Sequence, residues 1–144
     1  MKNLAIVVVV VAALMTALVQ LPSQPLELNG IRLGMTVRAL EDTRGGEALV
    51  NNGVGVYDGQ LLYLDQHDRI LGVLGQRLDD QLGPQASLTD VENRFGPVKL
   101  RRQTRWGTML TYGHDLRVWS QDGRGVTFYL LGEVPDSAIK ELSR

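Results

Sequence analysis

The amino-acid sequence predicts an α+β fold in which two tandem repeats, each a helix followed by three strands, form one antiparallel sheet with the helices on one face. Three observations carry this prediction. An uncharged apolar segment comes first and predicts an N-terminal transmembrane helix or signal sequence ahead of the folded part. Two short stretches with helical spacing each begin at a hydroxyl residue. Alternating apolar stretches, separated by glycine-containing turns, follow each of them.

The composition excludes several classes of function. The chain has 144 residues, enough for one domain or two small ones, and a formal net charge of -1. This charge balance is typical neither of a nucleic-acid-binding protein nor of an acidic disordered tail. The sequence contains no cysteine, which excludes disulfides, thiolate zinc sites, a cysteine nucleophile and a lipid-modified cysteine. We expect no cofactor and no nucleic-acid partner.

The segment from Leu4 to Leu21 reads LAIVVVVVAALMTALVQL and contains no charged residue. As a helix it would be about 27 Å long, close to the hydrocarbon thickness of a bilayer, and it has no polar face. It therefore predicts either an uncleaved membrane anchor or a cleaved secretory signal. No A-x-A pattern precedes Gln20, which favours the anchor. The short N-terminal tail places the following domain outside the cytoplasm, secreted or periplasmic if the segment is cleaved, although Arg32 and Arg38 weigh against this orientation.

The rest of the chain divides by its turn residues and by its internal similarity. The expected boundaries are an anchor or signal over residues 1–21, a linker over 22–30, repeat one over 31–80, repeat two over 81–134 and a short C-terminal helix or tail over 135–144. The stretch GMTVRALEDTRGG matches ASLTDVENRFGPV at an offset of about 51 residues. Thr36 and Ser87 can cap the two helices, and Gly45 and Gly96 can end them. A final helix is expected from Asp136 onwards.

Three strand-like stretches follow each predicted helix. Turn sequences such as NNG, YDG, QHD and QDGRG separate the stretches. NNG is either a bulge or a turn that splits the first stretch. The predicted strands are Ala48–Tyr57, Gln60–Leu64 and Ile70–Leu74 in repeat one, and Thr104–Tyr112, Leu116–Ser120 and Val126–Leu131 in repeat two. The two units together predict one six-stranded sheet.

The segments IRLGMTVRALED…GG with YDGQLLYLDQHDRI, and SLTDVENRFGPV with TYGHDLRVWSQDGRGV, carry a resemblance to a known family. The chain resembles the beta-lactamase inhibitory proteins, and it is similar to the small outer-membrane lipoproteins of the SmpA/OmlA type, which carry one such unit. The resemblance covers Ile31 to about Gly132. It implies a helix-backed, concave sheet whose open face contacts another protein. The first unit has TRGG where the pattern expects glycine-proline, and the lipobox cysteine is missing.

No group of residues predicts an enzyme. His114 and Asp115 align with Asp58–Gly59, a turn pair, and adjacent turn residues rarely converge on a nucleophile. The stretch DQHD (65–68) offers two carboxylates and a histidine, but it is more typical of a polar hairpin turn than of a metal site. The glycine-rich stretch 45–55 lacks both the P-loop lysine and the Rossmann spacing. We therefore expect a non-enzymatic protein without a metal site.

Strand alternation predicts two different faces for the second repeat. One face, expected beneath the helices, carries Trp106, Thr108, Leu110, Tyr112, Leu116, Val118, Val126, Phe128 and Leu130. The other face mixes aromatic, aliphatic and arginine side chains of the kinds that are enriched at the centres of protein interfaces. Its predicted partner-binding residues are Arg105, Arg117, Trp119 and Tyr129, with Tyr63 from the first repeat. The alternative is that the tail or the linker covers this face.

These expectations predict a membrane-anchored, extracytoplasmic protein-binding module that is an accessory or assembly subunit, or an inhibitor. The alternative function is a small-ligand or lipid-binding domain of the cell envelope, with its ligand between the repeats. A homodimer through the open face stays possible. The basic run Lys99–Arg105 is expected either as a solvated helix-to-strand connection or as a contact for phosphates, anionic lipids or an acidic partner.

Overall fold

The computed structural model describes residues 25–113 and 115–142. The expected anchor over residues 4–21 and the expected turn residue His114 lie outside the described residues. Within the two described ranges, no helix is both long enough and apolar enough to cross a membrane.

The first element is a short hairpin that the sequence assigns to a linker. Strand β1 (Glu27–Leu28) pairs antiparallel with β2 (Ile31–Arg32) through the turn residues Asn29 and Gly30, whose φ angles are 49° and 80°. The side chains of Leu28 and Ile31 are fully buried. The prediction of a linker through residue 30 is therefore wrong for this hairpin. Apolar residues alternate on both sides of an Asn-Gly turn in LELNGIRL, but each strand has only two residues, so the signal is short.

The first helix and the four strands after it have the expected local chemistry. Helix α1 (Val37–Arg44) begins at Thr36, whose hydroxyl accepts a 3.1 Å hydrogen bond from the backbone N–H of Ala39. It ends at Gly45, which has a φ of 79°. The strands are β3 (Leu49–Asn51), β4 (Val54–Tyr57), β5 (Gln60–Leu64) and β6 (Ile70–Gly75). The turn at Asn52–Gly53 separates β3 from β4, so NNG is a turn and not a bulge.

The second helix is built in the same way. Helix α2 (Leu88–Phe95) begins at Ser87, whose hydroxyl accepts a 3.1 Å hydrogen bond from the backbone N–H of Asp90, and it ends at Gly96. Four strands follow: β7 (Leu100–Thr104), β8 (Gly107–Thr111), β9 (Leu116–Ser120) and β10 (Phe128–Gly132). The predicted final helix is confirmed as α3 (Asp136–Leu142).

The strands form one large antiparallel sheet with the order β3-β4-β5-β6-β10-β9-β8-β7. The sheet therefore has eight strands and not six. One additional strand comes from the split at Asn52–Gly53, and the other is β7, which occupies most of the run expected as a connection. The sequence of β7, LRRQT, carries no apolar alternation because it is an exposed edge strand with one neighbour. Strands β6 and β10 pair at the centre of the sheet.

Helices lie on both faces of the sheet, whereas the sequence predicts them on one. Helices α1 and α2 contribute Val37, Leu40 and Val91 to a core, here called the main core, that includes Leu62, Val73, Leu110, Val118, Tyr129 and Leu131 of the sheet. Helix α3 packs on the opposite face, here called the second face. There Val134, Ala138 and Ile139 meet Leu74, Met109, Trp119, Phe128 and Leu130. The alternative that the tail covers this face is thus confirmed for its central part.

A bulge at Thr127, immediately before β10, reverses the faces that alternation assigns to the residues of β10. Thr127 lies at a bend, and its backbone N–H donates to the Trp119 carbonyl (2.8 Å), while Phe128 is also the register partner of Trp119. Thr127 and Phe128 therefore both face Trp119 of β9. As a result Tyr129 lies in the main core and Phe128 lies on the second face, each opposite to its predicted side.

The face assigned to Trp106 also changes. Trp106 lies in the turn between β7 and β8, so the alternation of β8 does not extend to it. Its ring lines a cleft with Met109, Trp119 and Ile139 on the second face. The prediction that Trp106 lies beneath α1 and α2 is therefore wrong.

Candidate protein-binding surface on the second face of the sheet

A single row of side chains crosses the second face from one edge of the sheet to the other. Residues that pair directly in an antiparallel sheet share a face, so the register identifies the row. The row is Leu49, Val56, Leu61, Leu74, Leu130, Arg117, Thr111 and Leu100, in the order of the strands. Five of these eight positions in succession are aliphatic, from Leu49 on the edge strand β3 to Leu130 at the centre of the sheet.

The β3 end of this row is not covered by any element that the structure describes. Leu49 is 75% exposed, Val54 is 39% exposed and Val56 is 44% exposed. Their register partners on β5, Leu61 and Tyr63, are partly buried. We call these five residues the apolar patch. Large exposed apolar patches are uncommon on monomeric soluble proteins and usually mark an interaction site.

The patch adjoins an open edge of the sheet. Strand β3 has one neighbour, β4, and its Leu49 and Val50 are exposed on opposite sides of the strand. It contains no charged residue and no proline, the usual features that prevent pairing at an edge. The other edge strand, β7, contains Arg101 and Arg102. The two edges therefore differ in chemistry, and β3 is the one that suits pairing with another chain.

Helix α3 covers the middle of the second face. Ile139 and Val134 are buried against the sheet, and Ala138 is partly buried. Asp136 at the start of α3 pairs with Arg102 of β7, with 3.1 Å between Nη2 and Oδ1, in a solvent-exposed salt bridge. Of the predicted site residues, this helix hides Trp119, which is only 3% exposed. Trp119 lies on the predicted face, but it is not accessible to a partner while α3 is in place.

The indole of Trp119 has an unmet hydrogen-bonding capacity. Its Nε1–H is buried and has no acceptor among the residues described here. A buried donor without an acceptor costs about 1–3 kcal/mol, so the packing of α3 over this ring is not ideal.

Arg117 joins the sheet to the segment that leads into α3. Its half-buried guanidinium donates from Nη2 to the carbonyls of Gly132 (3.1 Å) and Val134 (3.4 Å). Burial lowers the pKa of Arg117, and the carboxylate of Asp136 opposes this effect. The side chain lies on the predicted face, and its contacts hold the connection between β10 and α3.

The other three predicted site residues lie apart from one another. Tyr63 belongs to the apolar patch, and burial, with a smaller effect from Glu141, raises its pKa. Arg105 lies in the β7–β8 turn, where its guanidinium is 4.4 Å from the centroid of the Trp106 ring. Tyr129 is fully buried in the main core and donates to the Gly83 carbonyl (3.0 Å). The prediction that Tyr129 lies on the binding face is wrong because of the bulge at Thr127.

The polar turn DQHD, which has the residue types of a metal site, is stabilised by hydrogen bonds from its own backbone. Asp65 accepts hydrogen bonds from the backbone N–H groups of His67 (2.8 Å) and Arg69 (3.0 Å), so DQHD forms the predicted turn. Hydrogen bonds from these two N–H groups, first that of Arg69, hold the pKa of Asp65 below its usual value. Within residues 25–113 and 115–142, no group of three or more His, Asp or Glu side chains is arranged to hold a metal ion.

Sequence reasoning missed three residues of the apolar patch: Leu49, Val54 and Val56. The signal is present in the sequence LVNNGVGVY, in which apolar residues flank an Asn-Gly turn at alternating positions. It is weak because Gly55 interrupts β4 and because β3 has only three residues.

Comparisons with protein-family models, with curated proteins and with solved structures found no match for this chain.

Proposed function

We propose that this chain is a membrane-anchored, extracytoplasmic and non-enzymatic protein-binding module that docks a protein partner on the second face of its sheet. The observation that carries the proposal is the exposed apolar patch beside the open edge of β3. Its side chains belong to a rigid antiparallel sheet whose opposite face is the main core. Such a preformed surface binds a partner with little loss of conformational entropy.

The chemistry of the patch favours an extended segment of the partner. A strand that pairs with β3 would satisfy the free backbone groups of this edge and would place alternate side chains beside Leu49, in the row that continues to Val56. Addition of a strand to an open edge is a common mode of peptide recognition, with affinity from main-chain hydrogen bonds and specificity from alternate side chains. The proposed partner therefore presents an apolar strand.

The entry point of the chain is compatible with an N-terminal anchor. Leu26 packs against the main core, on the face of the sheet opposite to the apolar patch. An anchor at residues 4–21 would thus tether the domain from the side of α1 and α2. The apolar patch would lie on the opposite side of the sheet. The proposed role, as for the families that the sequence resembles, is that of an accessory or assembly subunit, or of an inhibitor.

The order of elements supports the proposed tandem repeat. Each of α1 and α2 begins at a hydroxyl cap, ends at a glycine with positive φ and precedes four antiparallel strands. The partner strands β6 and β10, each the last strand of its unit, pair at the centre of the sheet. The two units differ at the edges, and the proposed binding surface belongs to the first.

Site-specific photo-crosslinking tests the proposal. A photoreactive amino acid at Leu49 should capture one discrete partner in intact membranes, because this side chain is exposed beside the open edge. The matched control is Leu100, which is 63% exposed and occupies the same row on the opposite edge strand. In the Leu49 sample, Val56→Ser should reduce the crosslink at least tenfold. Equal capture from both positions, or capture that Val56→Ser leaves unchanged, would refute the proposed surface.

A further inference from the structure

A separate cleft lies between α3 and strands β7, β8 and β9, away from the apolar patch. It has a volume of about 330 Å³, and its apolar residues are Trp106, Met109, Trp119 and Ile139. Both tryptophans of the chain therefore line one cleft. Trp106 is 38% exposed, whereas Trp119 and Met109 are buried, so the cleft runs from an open mouth to an apolar floor.

The mouth of this cleft carries a surplus of positive charge. Lys140 places its ammonium 5.4 Å from the centroid of the Trp106 ring, and Arg105 stacks on the same ring. Arg102 and Asp136 also line the cleft and balance each other's charge, whereas Arg105 is not one of the lining residues. In the part of the chain that the structure describes, neither Lys140 nor Arg105 forms a salt bridge with a carboxylate. Among the described residues that line the cleft, Lys140 is thus a cation without a salt bridge.

We propose that this cleft binds a single-chain amphiphile with an anionic head, of the class of the medium-chain fatty acids. The alkyl chain would lie against Met109, Trp119 and Ile139, and the carboxylate would lie at the mouth beside Lys140. This arrangement removes apolar surface from water and keeps the carboxylate solvated beside an opposite charge. The site is distinct from the proposed protein-binding surface and does not depend on it.

The size of the cleft selects a short chain. At roughly 30 Å³ for each non-hydrogen atom, the share of one molecule in liquid water, the cleft holds about eleven such atoms. Octanoate, with eight carbon and two oxygen atoms, matches this capacity.

The unmet donor of Trp119 is a second feature of the floor. Its Nε1–H is buried without an acceptor among the described residues, and the ring lines the cleft. A small adjustment of α3 would let a bound water accept from it. Trp119→Phe keeps an aromatic side chain, although a smaller one, and removes the donor, so it tests whether binding requires this N–H.

Intrinsic fluorescence tests the proposal, since both tryptophans line the cleft. Octanoate added to the protein should shift the tryptophan emission to shorter wavelength in a saturable manner, with half-saturation at or below about 1 mM. Trp119→Phe, in which Trp106 alone reports, should retain the shift. Octyltrimethylammonium, which has the same chain and a positive head, should bind at least tenfold more weakly.

Two kinds of variant test the site: one reverses the charge at its mouth, and the other fills its apolar space. Lys140→Glu should weaken octanoate binding about tenfold, whereas Lys99→Glu, an identical charge change on an exposed residue outside the cleft, should leave it unchanged. Ile139→Phe should abolish the saturable shift by filling the space. Circular dichroism and the thermal midpoint verify that each variant is folded. A shift that does not saturate, or equal effects of the two lysine variants, would show adsorption at the surface and would overturn the proposal.

Discussion

Trp119 and Phe128 lie directly opposite each other in the register of β9 and β10, and both side chains pack beneath α3. The bulge at Thr127 produces this pairing and turns Tyr129 towards the opposite face. A shift of one residue in a strand exchanges its two faces. The register of this pair therefore sets which side chains of β10 face the main core and which lie on the second face.

The burial of Trp119 predicts a structural role for this residue. Trp119→Ala should lower the free energy of unfolding by about 3–5 kcal/mol, because it removes a large ring from a packed cluster and leaves a cavity. Trp106→Ala should cost only about 1 kcal/mol, because that ring is 38% exposed. Urea unfolding followed by circular dichroism compares the two variants. Equal losses would contradict the packing of α3 over Trp119.

The salt bridge between Arg102 and Asp136 should contribute little to stability. Both side chains are exposed, so water and salt screen their attraction. We expect a coupling energy of at most about 1 kcal/mol from a double-mutant cycle with Arg102→Ala and Asp136→Ala. The coupling should decrease further in 0.5 M salt, a concentration of the order at which screening extends over only a few ångströms. A coupling well above this limit would mean that the pair, and not apolar packing, holds α3.

Tyr129 should make the fold sensitive to high pH. Burial, with a smaller effect from Asp79, raises the pKa of Tyr129 to about 12 from its usual value of 10.0. Between these values the unfolded chain loses the proton and the folded chain keeps it, so the free energy of unfolding decreases as pH rises. Tyr129→Phe should flatten this decrease and should itself cost about 1 kcal/mol at neutral pH, since the Gly83 carbonyl loses its donor. The control Tyr63→Phe should leave a larger part of the alkaline decrease in place.

Asp79 should contribute to stability at neutral pH and lose this contribution in acid. Burial alone would raise its pKa, but hydrogen bonds from the backbone N–H groups of Leu82 and Gln81 (2.9 Å each) and from the Arg94 side chain together lower it. The folded chain therefore releases this proton at lower pH than the unfolded chain does, and stability decreases as pH falls below about 4.

The matched pair for this prediction is Asp79→Asn and Asp80→Asn. Asp80 is exposed and its carboxylate has no hydrogen bond to any residue described here. Asp79→Asn should flatten the acid limb of the stability profile between pH 5 and about pH 2, and Asp80→Asn should leave it unchanged. Identical profiles for the two variants would show that the hydrogen bonds at Asp79 do not govern the acid limb.

Local sequence chemistry predicted much of the fold correctly. The caps at Thr36 and Ser87, the ends at Gly45 and Gly96, and the turn at Asp58–Gly59 follow from hydrogen bonds and φ angles within a few residues. Strands with several alternating apolar residues were also placed correctly. The edge strand β7 was missed because LRRQT has no apolar alternation, and the β1–β2 hairpin was missed because each of its strands has only two residues.

The binding surface was predicted less well, for reasons that lie beyond local sequence. Alternation gives the relative faces of neighbouring residues in one strand, but a bulge such as that at Thr127 restarts the count. Leu49 and Val56 become one patch only through the pairing of β3 with β4. Whether this patch can bind a partner depends on which other elements cover it. The sequences of β3 and β4 do not show that.

The sequence by itself determined the positions of α1, α2, α3 and most strands, and the presence of an uncharged apolar segment before them, because these depend on contacts between residues close in the chain. Only the tertiary structure decided that α3 packs over Trp119, that Tyr129 faces the main core and that the apolar patch stays open. These features depend on which distant surfaces meet. Burial of apolar area is non-directional, so the sheet register and the path of the C-terminal segment select its location.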